Sequence, residues 1–128
     1  MKENYQLLGV EKWKIQVEEA VVKLILHGGN TRKEAYKAID FAEKYQFDEA
    51  DKHLQIAQDQ FQEGHIWQTK LVSIRDSETV AHPSFLLIHG QDHLMTAQAE
   101  LQLAKRIIEQ YKHQQRLEER LTKLENQA

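Results

Sequence analysis

A chain of 128 residues can bury one hydrophobic core, and its 41% hydrophobic and 29% charged residues are typical of a globular protein. The 17 basic and 20 acidic residues give a net charge of -3 without any basic cluster, which argues against nucleic acid as a partner. The absence of cysteine excludes disulfides, thiolate metal ligands and a cysteine nucleophile. No apolar run is long enough to span a bilayer, and no signal-peptide pattern occurs. We therefore expect a soluble protein of the cytoplasm, without membrane insertion.

Three segments carry apolar positions at alternating steps of three and four residues, a spacing typical of helices that pack side by side. The first seam keeps this phase through Gly28-Gly29-Asn30, although the capping-box pattern from Thr31 to Glu34 would favour a break there. The unbroken phase predicts one long helix, straight or kinked. The first seam consists of Val17, Val21, Leu24, Gly28, Thr31, Ala35, Ala38, Ala42 and Tyr45.

The second seam also predicts a helix, with Asp48 placed to cap its start. Its members are Phe47, Ala50, Leu54, Ala57, Phe61, Gly64, Gln68 and Leu71. Residues 75–82 lose the helical period and are predicted to form the main loop. They lead to Pro83, a residue suited to the first turn of the next helix.

The third seam predicts the last helix of the bundle. It comprises Leu87, Gly90, Leu94, Ala97, Leu101, Ala104, Ile108 and Tyr111. Beyond Lys112 the phase slips, and Leu117, Leu121 and Leu124 start a new register in a charged helical tail. We predict an all-α, antiparallel up-down-up three-helix bundle. Residues 1–128 form one domain, with a lead-in at 1–14 and the tail at 113–128.

The third helix carries a second face, which we call the outer stripe. It lies roughly a third of a turn from the third seam, and its members are Leu86, His89, His93, Thr96, Leu103 and Ile107. A lone three-helix bundle offers no internal partner for this face. The sequence therefore predicts self-association, with both histidines at or near a subunit interface.

The strongest chemical signal is the segment from His89 to Met95, which reads HGQDHLM. His89 and His93 are one helical turn apart, and Asp92 adjoins the same side near the helix start. A neutral imidazole is a nucleophile at neutral pH, and helix N-terminal donors favour an incoming anion. The residues alone are compatible with a phosphoryl carrier, a hydrogen-bonded structural histidine pair, or a metal site.

The segment from His89 to Met95 resembles the signature of the lactose/cellobiose enzyme IIA family of the bacterial sugar phosphotransferase system. Two upstream segments are similar in order and spacing, namely Gly28-Gly29-Asn30-Thr31-Arg32 followed by Ala35, and His65-Ile66-Trp67-Gln68-Thr69. The resemblance covers about residues 15 to 112. Asn30 and Thr31 depart from the residues of many relatives, and Trp67 stands where a smaller side chain is usual.

The resemblance implies a homotrimer of three-helix subunits that relays a phosphoryl group from HPr to the cysteine of a IIB component. His89 matches the phosphorylated histidine. Asp92 matches an aspartate that gathers with its symmetry mates around a structural metal ion, usually magnesium, on the threefold axis. We assign supporting hydrogen-bond roles to Gln91 and His93 beside the acceptor. Three clustered carboxylates would otherwise repel one another, so a hard cation is expected.

Two alternatives stay open at the level of sequence. A helical metal-binding or scaffold protein could use His89, Asp92 and His93 of one chain as ligands. His65 and Gln68 could form a hydrogen-bonded polar pair inside the bundle or line the site. The remaining histidines are expected at the surface, at its boundary or in the loop; they are His27, His53, His82 and His113. The tail is either a solvated helix or a parallel coiled coil that extends a trimer.

Overall fold

The computed structural model describes residues 2–73 and 81–128, with side chains from residue 16 onward. Within this part of the chain the structure consists of three long α-helices and contains no strand. The helices are α1 (Lys2–Glu43), α2 (Phe47–Val72) and α3 (Phe85–Gln127). The all-helical prediction is confirmed, whereas most of the predicted loop at 75–82 lies outside the described residues. None of the three helices has an apolar stretch long enough to cross a membrane.

Helix α1 runs without a break through Gly28 and Gly29, as the phase of the first seam predicted. A Cβ atom at Gly28 would lie 3.1 Å from the carbonyl carbon and oxygen of His93, so this glycine lets α3 approach closely. Thr31 does not cap a new helix. Its buried hydroxyl donates to the carbonyl oxygen of His27 at 2.7 Å, one turn earlier in the same helix. Tertiary packing therefore overrides the local capping pattern.

A tight turn joins α1 to α2, and Tyr45 occupies it with a φ of 58°, in the left-handed region. The Tyr45 amide donates to Ala42 O at 2.9 Å and the Gln46 amide to Phe41 O at 3.0 Å, which closes the end of α1. The prediction that Asp48 caps α2 is wrong, because this closure starts α2 at Phe47 with Gln46 at the N-cap. Asp48 lies in the first turn instead, where its charge complements the helix dipole.

Helix α3 begins with a side-chain cap rather than with proline in its first turn. The hydroxyl oxygen of Ser84 accepts from the Leu87 amide at 3.1 Å, and the Ser84 carbonyl accepts from the Ile88 amide at 3.2 Å. The prediction for Pro83 is therefore wrong by two positions, since the helix starts at Phe85. Pro83 precedes the cap, and Ser84 itself adopts the extended conformation that capping needs.

The three seams meet in a core that is built from small and aliphatic side chains. Its layers, from the level of His93 towards the turn at Tyr45, are Ala20, Leu24, Leu71 and Leu94; then Ala35, Ala57, Leu101 and Ala104; then Ala38, Ala42, Ala50 and Ile108. Alanines and glycines let the helices approach closely, while the leucines and Ile108 fill the space between them. All core positions of the third seam from Gly90 to Ile108 are buried.

Candidate functional site

His89 lies one turn inside α3 and is exposed to solvent. Its ring stacks on Phe85, with ring centroids 6.1 Å apart and planes 5° from parallel. Helical side chains tilt towards the N-terminus, so the His89 imidazole covers the first turn of α3, whose earliest amides precede the first intrahelical hydrogen bond. The arrangement offers an accessible imidazole with one supported face beside a helix N-terminus.

His93 lies on the next turn and contacts His89 edge to face, with centroids 4.8 Å apart and planes at 87°. It is half-buried, and its backbone is packed against Gly28 of α1. The Nδ1 atom of His93 is buried and forms no hydrogen bond with any described part of the chain. The helix spacing thus brings both predicted histidines together, and packing against α1 fixes the position of the second one.

Asp92 is exposed on the side of α3 next to both histidines. Its backbone carbonyl accepts from the Thr96 hydroxyl at 2.8 Å, and that hydroxyl oxygen accepts from Arg32 Nη2 at 2.6 Å. Arg32 also forms an ion pair with Glu100, with Nε and Oε2 at 2.5 Å. A polar chain therefore links α1 to the outer stripe one turn beyond Asp92.

Gln91 points to a different side of α3 from His89. Its Oε1 atom accepts from Gln68 Nε2 of α2 at 2.8 Å, and Gln68 Oε1 lies 3.2 Å from His65 Nδ1. His65 and Gln68 are thus hydrogen-bonded to each other, as one of the two alternatives predicted, but His65 is exposed, so the pair lies at the surface of the bundle and not inside it. The structure shows no contact between Gln91 and His89, so the supporting role of Gln91 stays a prediction.

No group of three histidine, aspartate or glutamate side chains in the described residues is arranged to hold a metal ion. His89, Asp92 and His93 all belong to this part of the chain, and the two imidazoles contact each other edge to face. One chain therefore presents Asp92 as a single exposed carboxylate on this face, with no ion-pair partner among the described side chains.

Sequence reasoning missed two groups beside the site. Phe85 supports the His89 ring from one turn earlier, and the spacing of four residues along a helix is the sequence signal for this contact. The ion pair of Arg32 and Glu100 joins residues far apart in sequence, and no local pattern signals it. Glu100 falls on the outer stripe at helical spacing, and this pairing explains how a charge is accommodated there.

Known proteins resemble this chain in sequence and in fold. The family model for the lactose/cellobiose-specific IIA subunit of the PTS system matches residues 19–112. The chain belongs to this family. It is an enzyme IIA component of a sugar phosphotransferase system and thus a phosphotransferase component. The resemblance seen in the HGQDHLM segment is confirmed.

Individual relatives extend over most of the chain. The lichenan-specific phosphotransferase enzyme IIA component of Bacillus subtilis is 36% identical over 96 residues, which are 75% of this chain and 87% of that protein. The crystal structure of the cellobiose-specific enzyme IIA from Bacillus anthracis superposes with a TM-score of 0.69 at 36% identity, covering 77% of this chain and 91% of that one. The IIA(chitobiose)–HPr complex of Escherichia coli gives a TM-score of 0.68 at 31% identity, with coverage of 77% and 96%.

Proposed function

We propose that His89 carries the phosphoryl group of this IIA component. The His89 imidazole attacks the phosphorus of phospho-HPr in line, so that the N–P bond to the HPr histidine breaks as a new N–P bond to His89 forms. The cysteine thiolate of a IIB component then attacks the same phosphorus, which forms an S–P bond and releases His89. The IIB component belongs to a transporter for a sugar of the lactose, cellobiose or chitobiose type.

The observation that carries this proposal is the exposed imidazole of His89 at the start of α3, inside the region that matches the family. A phosphoryl transfer needs an accessible nucleophile and nearby donors, and the protein supplies positioning rather than covalent chemistry. The Phe85 ring limits how the imidazole can rotate. HPr as the donor is supported by the Escherichia coli relative, which forms a complex with HPr.

His93 acts as a positioning residue in this proposal. The His93 and His89 rings are in edge-to-face contact, with ring centroids 4.8 Å apart. The backbone of His93 is held by the close approach of α1 at Gly28. The contact restricts His89 to one orientation in both halves of the relay. Gln91 contributes through Gln68 by fixing α3 against α2 at the same level.

We further propose that the chain acts as a homotrimer of up-down-up subunits. Contacts of Ala42 with Ala50 and Ile108 at one end, and of Leu24 with Leu71 and Leu94 at the other, support antiparallel neighbours. The outer stripe supports association, because Leu86, Leu103 and Ile107 remain 58%, 59% and 38% exposed in the single chain. Their burial between subunits would remove this apolar surface from water.

Asp92 would hold a structural Mg²⁺ on the trimer axis. Its exposed carboxylate beside the outer stripe suits a hard cation, and three symmetry-related copies supply the oxygen ligands that one chain lacks. The ion offsets the repulsion between the three carboxylates. Asp92 thus positions subunits, and His89 alone receives the phosphoryl group.

The competing function is a helical metal-binding or scaffold protein in which His89, Asp92 and His93 of one chain bind one ion. The edge-to-face contact of the two imidazoles does not favour this chelate. Metal stoichiometry distinguishes the two. We expect one ion per three chains, whereas one transition ion per chain, lost on replacing either histidine, supports the competing function.

The relay is tested with labelled phosphoenolpyruvate, enzyme I and HPr. The wild-type protein takes up acid-labile label, and His89→Gln takes up none because the nucleophilic nitrogen is gone. His82→Gln is the matched control, since this exposed histidine lies outside α3. Wild-type labelling of His89→Gln would disprove the assignment. A folded helical spectrum for the variant keeps that result interpretable.

A further inference from the structure

Helix α3 continues well past the region that the family model matches. The match ends at residue 112, whereas the helix ends at Gln127. The last turns carry three leucines that we call the tail leucines, and Leu117, Leu121 and Leu124 are 48%, 56% and 63% exposed. A solvated extension would not need leucine at successive helical steps.

The register of the tail leucines identifies the face to which they belong. The third seam ends at Tyr111, and its next positions, Gln115, Glu118 and Thr122, are polar. The outer stripe lies one residue before each seam position. Beyond Ile107 the outer stripe continues at the same alternating steps of three and four residues. Its next positions are Gln110, Gln114, Leu117, Leu121 and Leu124, so it includes all three tail leucines.

The apparent phase slip after Lys112 is therefore a change of face. Up to Tyr111 the helix buries its third seam inside the subunit, and after Gln114 it keeps only the outer stripe apolar. The third seam and the outer stripe both repeat at steps of three and four residues, the spacing of helices in a left-handed supercoil. A supercoil that keeps the third seam facing the bundle therefore also keeps the outer stripe on a single face of α3. His89 and the tail leucines lie on the same face of α3.

We propose that the tails of three copies of this chain associate as a parallel, in-register coiled coil that continues the trimer interface. The proposal rests on the homotrimer part of the proposed function. The tail leucines form the buried layers of the coil, and Leu103 and Ile107 lead into it from the bundle. The tail leucines lie outside residues 19–112, the region that the family model matches.

Charged residues beside the tail leucines favour the parallel arrangement. His113 and Arg120 flank the stripe on one side, and Glu118 and Glu125 flank it on the other. In a parallel coil, a residue on the first side of the stripe contacts the residue five positions later, on the second side, of the neighbouring helix. Arg120 then pairs with Glu125 of the partner subunit, and His113 with Glu118 of the partner subunit.

An antiparallel pairing would bring like charges together, glutamate against glutamate and base against base. Neither Arg120 nor Glu125 forms an ion pair inside the described chain, so both are available. The charge pattern therefore selects copies of the same segment, all running in one direction.

The base of the tail is tied to the bundle. The Gln114 amide donates to the Tyr45 hydroxyl at 3.0 Å and to Glu118 Oε1 at 3.3 Å. This contact anchors the first turn beyond the family region, so the tail leucines extend in a direction that the bundle sets. Gln110, the stripe position after Ile107, forms a polar layer of the coil, and a polar layer of this kind restricts register.

Single cysteines test this arrangement in the full chain, which has no native cysteine. Leu124→Cys places a thiol in the proposed coil, and Asn126→Cys places one two residues later on the outer side. Under mild oxidation we expect Leu124→Cys to form disulfide-linked pairs at least tenfold faster than Asn126→Cys. Equal rates for the two variants would overturn the proposal, because they would indicate random collision.

Sedimentation and labelling of the same samples separate this proposal from the proposed function. Absence of crosslinks in a Leu124→Cys protein that sediments as a trimer overturns the coiled coil and leaves the carrier intact. Crosslinks in a protein that sediments only as a dimer overturn the three-stranded arrangement. Crosslinked trimers that take up no phosphoryl label support the coil and contradict the role of His89.

A charge reversal gives an independent measurement. Arg120→Glu should weaken association about tenfold, because glutamates then face each other across the coil, and adding Glu125→Arg should restore it. Failure of the second change to restore association would contradict the parallel pairing.

Discussion

The two faces of α3 differ in what they contact and in what they can do. The third seam packs Leu94, Leu101 and Ile108 inside the subunit, where each is at most 1% exposed. The outer stripe, one residue away at every turn, leaves His89 and Leu103 in solvent. The first face builds the subunit core, and in the proposed function the second carries the phosphoryl acceptor and the contacts between subunits. Under that proposal, positions one residue apart along α3 serve stability and function separately.

The largest expected effect on stability comes from replacing one leucine on each face of α3 and comparing the two variants. Leu94→Ala removes a fully buried side chain and should lower the free energy of unfolding by about 2–5 kcal/mol. Leu103→Ala removes an exposed one and should change the stability of the single subunit by less than about 0.5 kcal/mol, while it weakens self-association. Denaturant unfolding at several protein concentrations measures both quantities.

The concentration dependence is the internal control for this pair. The loss in Leu94→Ala should appear at every concentration, whereas the loss in Leu103→Ala should appear only where the wild type is associated. Equal and concentration-independent losses would show that the outer stripe is part of the subunit core, and the proposed division between the faces would fail.

The next largest effect is expected at Gly28 and Gly29 of α1, where one glycine faces α3 and its neighbour does not. A Cβ at Gly28 would lie 3.1 Å from backbone atoms of His93, which cannot move aside, so Gly28→Ala should destabilise the protein by about 1–3 kcal/mol. A Cβ at Gly29 meets nothing within 4 Å, so Gly29→Ala should stabilise α1 by up to about 1 kcal/mol. Thermal unfolding of the two variants should show opposite shifts.

Gly28→Ala also displaces His93 and should slow phosphoryl transfer to His89. A variant that is destabilised yet labels at the wild-type rate would contradict the positioning role of His93. Gly29→Ala serves as the matched control for both measurements, because the same substitution is made one residue away.

The smallest effect on the subunit is expected at Asp92. Asp92→Asn removes an exposed charge and should leave single-subunit stability within about 0.5 kcal/mol of the wild type. Association of the wild type should strengthen with Mg²⁺ and weaken with a chelator, whereas the variant should respond to neither. Sedimentation equilibrium measures this, with Glu109→Gln, another exposed acid of α3, as the control. A Mg²⁺ response that persists in Asp92→Asn would remove this residue from the metal site.

Hydrophobic spacing was sufficient to predict the helices and most of the core. The three seams correctly marked Leu24, Ala57 and Leu101 as buried, because a period that persists over many turns reflects packing against fixed neighbours. The helix starts were predicted less well. Asp48 and Pro83 carry the usual start signals, but the turn at Tyr45 and the cap at Ser84 determine where α2 and α3 begin.

The site was predictable where its residues are close in sequence. His89, Asp92 and His93 lie within two turns of one helix, so helical geometry alone brings them together. The contact of Gln91 with Gln68 and the ion pair of Arg32 with Glu100 depend on which sides of three helices meet. Such contacts follow from the fold and have no local signature.

Gly90, directly after His89, has a consequence for the phosphoryl relay proposed above. A Cβ there would lie 3.4 Å from Val21 O and 3.5 Å from the Leu24 Cβ, so the α3 backbone at this point rests on α1. The backbone that carries the imidazole is therefore already in place before either exchange partner arrives. We therefore expect loading and unloading of His89 to require little reorganisation of the α3 backbone.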